Sequence, residues 1–458
     1  MNFQQRLCNN LHRRALCGLQ SYAIPRSSQV FSGRCRAVSN LSGSSSKSAP
    51  TSSMTQNGLF QWSVPFILPV AAAAATAAYS GKLQSIAFGT DIAWLRPVLV
   101  GSGPLLLHFI LPFLDLLLGQ QHPQPLGPTA KASPPDDFTA RVVPTIVVIM
   151  HLTIMATAYA TIATAPLQPL LLPLLAYSLA ISASCTMAAS HELVHSRNPI
   201  HLSAAALFLT LYWWYPYYRA HHQHHLHVCT PVDYTCAPKG LSVYSYLPPY
   251  ITCSYAEAWQ LAIQECDRAG KPRYSRHNTT LAALVAQALL AAVMYALFGP
   301  VATAVHFTSN IVFLVYMATL DYILHYGLVR PPTLGNERRY TPITPYTSWN
   351  SLYVFENGIF FNVLYHSNHH LYGVKSYGYL RPPIDGPFVP LPINLLGILV
   401  LVPPLWRSVM DRRADEANAK NLEYLGNTAV SATPTDSTST GATAAAAASS
   451  EAEAREAA

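Results

Sequence analysis

Six stretches of this chain, near 59–80, 94–118, 142–165, 168–189, 280–299 and 301–323, are apolar and long enough to cross a hydrocarbon layer of about 30 Å. Lipid offers no partner for a bare backbone N–H or C=O, so such stretches must become helices. The chain is 51% hydrophobic and 11% charged, where ordinary soluble domains carry about 25% charged residues, and that excludes a soluble globular enzyme. The fold class that follows is an all-α membrane protein with six transmembrane helices.

Loop charge orients it. The third and fourth stretches are joined by APLQP and the fifth and sixth by FGPV, both uncharged. Lys131, Arg141, Arg197, Arg219, Arg268, Lys271, Arg273, Arg276, Arg330, Arg338 and Arg339 fall in the other connections, which therefore share the cytosol-equivalent face with both termini. A seventh span over LSAAALFLTLYWWYPYY, 202–218, would separate the histidines at 221–225 from those at 191 and 195 by about 30 Å. That run is instead expected to be interfacial or re-entrant, with Trp213, Trp214, Tyr215, Tyr217 and Tyr218 in the headgroup layer. The proline-interrupted run at 388–406 is expected to lie on the membrane surface.

Three regions are expected. Residues 1–58 hold seven bases and no acid, are rich in serine and lack the apolar core of a secretory signal, the composition of a transit peptide. The Ser-rich second half favours a plastid over a mitochondrion. Of 28 basic residues in all, removing those seven leaves 21 against 21 acids, so the rest of the chain is neutral and nothing argues for nucleic acid. Residues 59–412 form the membrane domain, and 413–458 a low-complexity tail expected to be disordered. The eight cysteines contain no CxxC pair, which leaves neither a disulfide ladder nor a rubredoxin-type iron site.

Fourteen of the 18 histidines lie between 191 and 370, at the basic ends of the expected spans. His191 and His195, in HELVHS, are four apart on one helical face, a spacing that alone also fits a zinc protease. His221, His224 and His225 follow in HxxHH spacing, then His325 in DYILHYGL, then His366, His369 and His370 in YHSNHH. Nine imidazoles are too many for one zinc and suit two metals. All-imidazole coordination favours iron over magnesium or calcium, which take oxygen ligands. The expected site is thus a histidine-box di-iron centre on the cytosol-equivalent face, working on a lipid-soluble substrate.

Over residues 90–412 the chain resembles the membrane alkane 1-monooxygenases, relatives of the fatty acid desaturases and xylene monooxygenase. The resemblance rests on LPFLDLLLG (111–119), HELVHS, HHLHVCTPVD (224–233), DYILHYGLVR (321–330), FNVLYHSNHH (361–370) with Tyr377 and Leu380, and PPLWRSVMD (403–411). It implies six helices, two irons on nine histidines, and hydroxylation of a terminal methyl with oxygen and two electrons. The implied ligands are His191, His195, His224, His225, His325, His366, His369 and His370, with His221 as the ninth. The family's EHxxGHH is one residue shorter here, so His222 is the alternative; His221 is preferred because positions i, i+3 and i+4 share a face. The family's NYxEHYG reads DYILHYG and its HSDHH reads HSNHH, which leaves Glu192, Asp233 and Asp321 as the candidate acids for orienting ligand rings.

The remaining histidines carry plainer expectations: His222 and His227 face solvent, and His108, His151 and His306 are neutral rings bonded to neighbouring helices. No flavin or nicotinamide motif is present, so electrons come from a rubredoxin- or ferredoxin-type protein and its reductase, docked on the basic face. Three activities remain open: terminal hydroxylation of an alkane or similar apolar chain, desaturation or hydroxylation of a fatty acyl chain, and intramembrane zinc proteolysis.

Overall fold

The computed structural model describes residues 63–83, 94–123, 138–333, 336–373 and 375–431. The expected leader at 1–58, Lys131, and residues 432–458 of the expected tail lie outside them. Helices cover the described parts of all six apolar stretches. They are α1 (Ile67–Tyr79); α2 (Leu95–Val100), α3 (Ser102–Leu105) and α4 (Leu111–Leu118), the last two joined by a π turn; α5 (Phe138–Thr164); and α6 (Leu172–Val194). After α7 (Pro199–Leu211), α8 (Tyr215–His227) and α9 (Val243–Arg268) comes α10 (Thr279–His325), two helices merged at a kink at Gly299. A hairpin of β1 (Pro332–Thr333) and β2 (Asn336–Tyr340) precedes α11 (Val354–Ile359), α12 (His366–Leu371), α13 (Ile393–Leu399) and α14 (Pro403–Ser431). Among the described residues, three helices are long and apolar enough to cross a membrane: Arg141–Thr164, Pro169–Val194 and Thr279–His325.

Helix α6 is the axis of the fold. α10, α5, α1, α7 and α3 all pack against it, and it is buried almost throughout from Leu175 to Val194. Its sequence explains this: the run SLAISASCTMAAS offers small side chains that let neighbouring backbones approach. At Gly103 on α3 a Cβ would sit 3.1 Å from Ser178 Cα, so the two helices touch through glycine.

Three expectations are corrected. α7 spans thirteen residues, about 20 Å, too short for a span, as expected; but Trp213 at φ 57° then turns the chain inward. Trp214 is consequently buried rather than in a headgroup layer, and Tyr212 beside it is too. Arg141, counted above as a loop charge, is fully buried: its guanidinium ion-pairs with Glu192 at 3.5 Å and donates to the carbonyls of Glu192 and His195. A cation there satisfies the orphan carbonyls at the end of α6, where the helix dipole is negative. The expected tail is helical as far as Ser431, because residues 405–425 combine good helix formers with no glycine or proline. The chain divides into two units, Met1–Asn418 and Ala419–Ala458, and of the second only the final part of α14 is described.

α9 had no counterpart in the span pattern. It is amphipathic rather than apolar, and Ser242 caps it by accepting from the amide of Ser245 at 3.2 Å.

The LPFLDLLLG block has a structural role. Asp115 on α4 is buried, and its carboxylate accepts from the amides of Phe355 (2.6 Å) and Glu356 (3.1 Å), capping α11 from a distant part of the chain. α11 leads into the segment that carries His366, His369 and His370. Asp115→Ala should strand two buried amides and lower stability by about 1–3 kcal/mol, with Asp115→Asn milder. Thermal unfolding in detergent checks this, and an unchanged midpoint for the alanine variant contradicts it.

Candidate metal centre

Four pieces of chain deliver the histidines. α6 ends in His191 and His195, α8 carries His221, His224 and His225, α10 ends in His325, and α12 carries His366, His369 and His370. Their ring nitrogens form two groups, His191, His195, His221, His225 and His369 in one and His224, His325, His366 and His370 in the other. Within each group the donor atoms lie within 4.8 Å of one another. All nine histidines singled out in the sequence fall in one group or the other, five and four.

Helical geometry makes the division. In HxxHH the first and third histidines are four residues apart and lean to one side, while the middle one points to the other. On α8 the outer pair, His221 and His225, joins the five-histidine group and His224 the other. On α12 the roles reverse: His366 and His370 join the four-histidine group and His369 crosses over. The compressed spacing of the second box thus keeps His221 inside, while His222 is exposed.

The nitrogens are arranged for cations. The Nε2 atoms of His191, His195 and His221 form a triangle of 2.9, 3.1 and 3.3 Å, and His225 Nε2 is 3.0 Å from that of His221. In the other group His366 Nε2 is 3.1 Å from His325 Nε2 and 3.2 Å from His370 Nε2. Each Nε2 has one in-plane direction for a proton or lone pair, so a closed triangle cannot be three hydrogen bonds. Neighbouring ligands at right angles on a metal about 2.1 Å away would be about 3.0 Å apart, which fits. His369 Nε2, buried in the first group, has no hydrogen-bond partner among the described residues. Burial first, and neighbouring imidazoles second, hold His221, His225, His366, His369 and His370 well below the usual histidine range, so these rings are neutral and their lone pairs free.

The second ring nitrogens fix the ring orientations. His224 Nδ1 lies 3.0 Å from Asp233 Oδ2 and 2.8 Å from Thr235 Oγ1. Asp233 is itself held: Oδ1 accepts from the amide and hydroxyl of Thr235, and Oδ2 from Cys236 Sγ at 3.0 Å. Burial alone would raise this carboxyl, but His224 and these donors hold it well below the usual range. His224 is shifted upward in turn, since Asp233 outweighs the burial that would lower it. His325 Nδ1 faces the Thr347 carbonyl at 3.3 Å, and His366 Nδ1 the Val363 carbonyl at 3.0 Å.

Of the three acids expected near the ligands, Asp233 contacts a ring. Glu192 meets Arg141 and accepts from the Tyr377 amide at 3.1 Å, and Asp321 accepts from the Tyr250 hydroxyl. Carbonyls of Thr347 and Val363 do the orienting that acids were expected to do, and no side-chain motif could have announced them. Thr235 was legible as the second residue after an Asx-turn aspartate. The plainer histidines behave as expected: His151 bonds Ser182 and Tyr212, His306 bonds Tyr159, and His108 bonds Tyr177.

The HYG sequence is explained by packing. Gly327 has φ 70°, and a Cβ there would meet Ala414 Cβ at 2.8 Å. Tyr326 donates to Asp411 at 2.6 Å, so the first half of α14 clasps the turn that follows His325.

A mostly apolar cavity runs beside both groups. Met187, Met317, Leu320 and Phe360 line it, and His191 and His221 of one group and His224 and His366 of the other form its floor. Tyr217 stacks on His221 with ring centroids 4.6 Å apart, a role at the site rather than the interface one expected.

Comparison with known proteins agrees with this geometry. A family model described as fatty acid desaturase matches residues 167–382. Alkane 1-monooxygenase 2 of Alcanivorax borkumensis is 30% identical over 51% of this chain and 61% of its own length. Alkane 1-monooxygenase 1 of Pseudomonas aeruginosa is 32% identical over 48% and 58%. Alkane 1-monooxygenase of Ectopseudomonas oleovorans is 30% identical over 66% and 75%. The first two matches thus span about three fifths of those relatives.

Loss of the Asp233 carboxylate should weaken metal binding about 10–100-fold. Asp233→Ala should therefore purify with less metal per chain than the parent, and His221→Ala likewise, while His222→Ala keeps its metal. Elemental analysis of the three variants checks the assignment; equal loss in the His221 and His222 variants contradicts it.

Proposed function

The chain belongs to the alkane 1-monooxygenase family, and from that premise we propose that it is a membrane di-iron monooxygenase. It hydroxylates a terminal C–H bond of an alkane or similar apolar chain with oxygen and two electrons. The observation that carries this reading is the five-and-four division of nine histidines beside one apolar cavity. All-nitrogen donor sets of this size fit iron better than zinc, which would use three or four ligands. Two irons held there would supply activation of dioxygen.

The chain's own residues bind, aim and exclude water. Met187, Met317, Leu320 and Phe360 give a chain substrate an apolar wall, and burial of the histidines keeps bulk water from the reacting carbon. Asp233, Thr347 and Val363 hold rings in place, so metal affinity does not depend on flexible side chains.

The six helical stretches support six spans, with α10 contributing two limbs either side of Gly299. The histidines at the ends of α6 and α10, next to the basic connections, support a site on the cytosol-equivalent face. The acid-free leader supports an organelle membrane, a plastid before a mitochondrion. Arg268, Lys271, Arg273, Arg276, Arg338 and Arg339 suit an acidic rubredoxin- or ferredoxin-type donor with its reductase. The second reading, a fatty acyl desaturase or hydroxylase, is favoured by the description of the matching family model. An intramembrane zinc protease would leave most of the nine histidines without use.

Purified protein should contain two irons per chain, and one zinc would contradict the proposal. Mass spectrometry of products after feeding alkanes and fatty acids should show a terminal alcohol from the alkane; unsaturated or hydroxylated acyl products alone would favour the second reading. His325→Ala should abolish turnover while the protein still inserts, since apolar helices hold the fold. Full activity in that variant would overturn the nine-ligand assignment.

A further inference from the structure

One wall of the cavity is polar in a way that a saturated hydrocarbon leaves unused. Trp214 lines the cavity, is 1% exposed, and its indole Nε1–H has no hydrogen-bond partner among the described residues. Tyr250, another lining residue, stacks on that indole with ring centroids 5.6 Å apart and donates its hydroxyl to Asp321 Oδ2. Asp321 is half-buried at the same wall, one helical turn before His325. A donor without an acceptor and a carboxyl group therefore adjoin through one tyrosine, close to the metal-binding histidines.

Buried polar groups are ordinarily paired, and an orphan indole N–H in a ligand cavity marks where a ligand atom accepts. Resting on the monooxygenase reading above, we propose that this pole binds the hydroxyl of a neutral, hydroxyl-bearing chain. The hydroxyl oxygen accepts from Trp214 Nε1, and its hydrogen-bonding capacity is completed by Asp321. An alkane leaves the Trp214 N–H without an acceptor. A fatty carboxylate brings its charge against Asp321, and no lysine or arginine lines the cavity to offset it. Positions 321 and 324, where DYILHYG departs from NYxEHYG, both lie on this wall, so the departure falls on specificity rather than on ligation.

The test is binding, read without turnover. The full-length, metal-loaded protein in lipid nanodiscs is titrated with dodecanol, dodecane and dodecanoate, following the shift in thermal unfolding midpoint. One neutral hydrogen bond of ordinary strength corresponds to about tenfold in affinity. Dodecanol should stabilise the parent at about tenfold lower concentration than it does Trp214→Phe, which removes the indole N–H together with part of the ring, and the dodecane curve, the control for the lost ring volume, should not move in the same way. Asp321→Leu, which removes the acceptor and should raise the dodecanol concentration needed in the same direction, is the second variant should Trp214→Phe not fold. Equal dodecanol curves for parent and variants, or tighter binding of dodecanoate, overturn the inference. Dodecanol binding with no product from either chain would leave the inference standing and defeat the monooxygenase reading.

Discussion

The site turns on one electrostatic constraint: buried imidazoles whose nitrogens converge to about 3 Å of one another carry lone pairs that positive charge would satisfy. Lone pairs set against each other in a buried place repel, and hydrogen bonds cannot close the triangle that His191, His195 and His221 form. Cations would relieve both, and each of the two histidine groups is able to hold one. The requirement also explains why α6 and α10 end together and why α8 and α12 lie across those ends, each feeding both groups.

The clustering of the nine histidines was legible because helical spacing is arithmetic. HExxH and HxxHH state which rings share a face, and the preference for His221 over His222 followed from that alone. The helical state of the apolar runs was equally readable, since lipid forces such runs into helices. The division into five and four was not readable: it depends on how α8 and α12 are turned toward each other, which long-range packing decides. α9 escaped notice because a half-polar helix lying against others has no span pattern, and Arg141 because a charge count does not say which end of a helix a guanidinium caps. Trp214 was misread for a related reason. Tryptophan suits an interface by composition, but the positive φ at Trp213 turns the next ring into the protein.

Ring orientation shows how departures from a family pattern can be absorbed. Where acids are missing near the third and fourth boxes, main-chain carbonyls of Thr347 and Val363 face the free nitrogens. A carbonyl accepts as a carboxylate does but carries no charge, so the four-histidine group keeps one full anionic partner, Asp233. Cys229 and Cys236, with sulfurs 3.6 Å apart, add S–H donors to Thr347 and Asp233 and so tighten the same layer. The α14 clasp on Gly327 holds His325 from the far side.

The most direct test of two cations on nine histidines is diffraction from crystals of the iron-loaded protein on either side of the iron absorption edge. The account predicts two anomalous peaks, one inside the group of His191, His195, His221, His225 and His369 and one inside that of His224, His325, His366 and His370. A single peak, or a peak held by Cys229 and Cys236 instead, would contradict it.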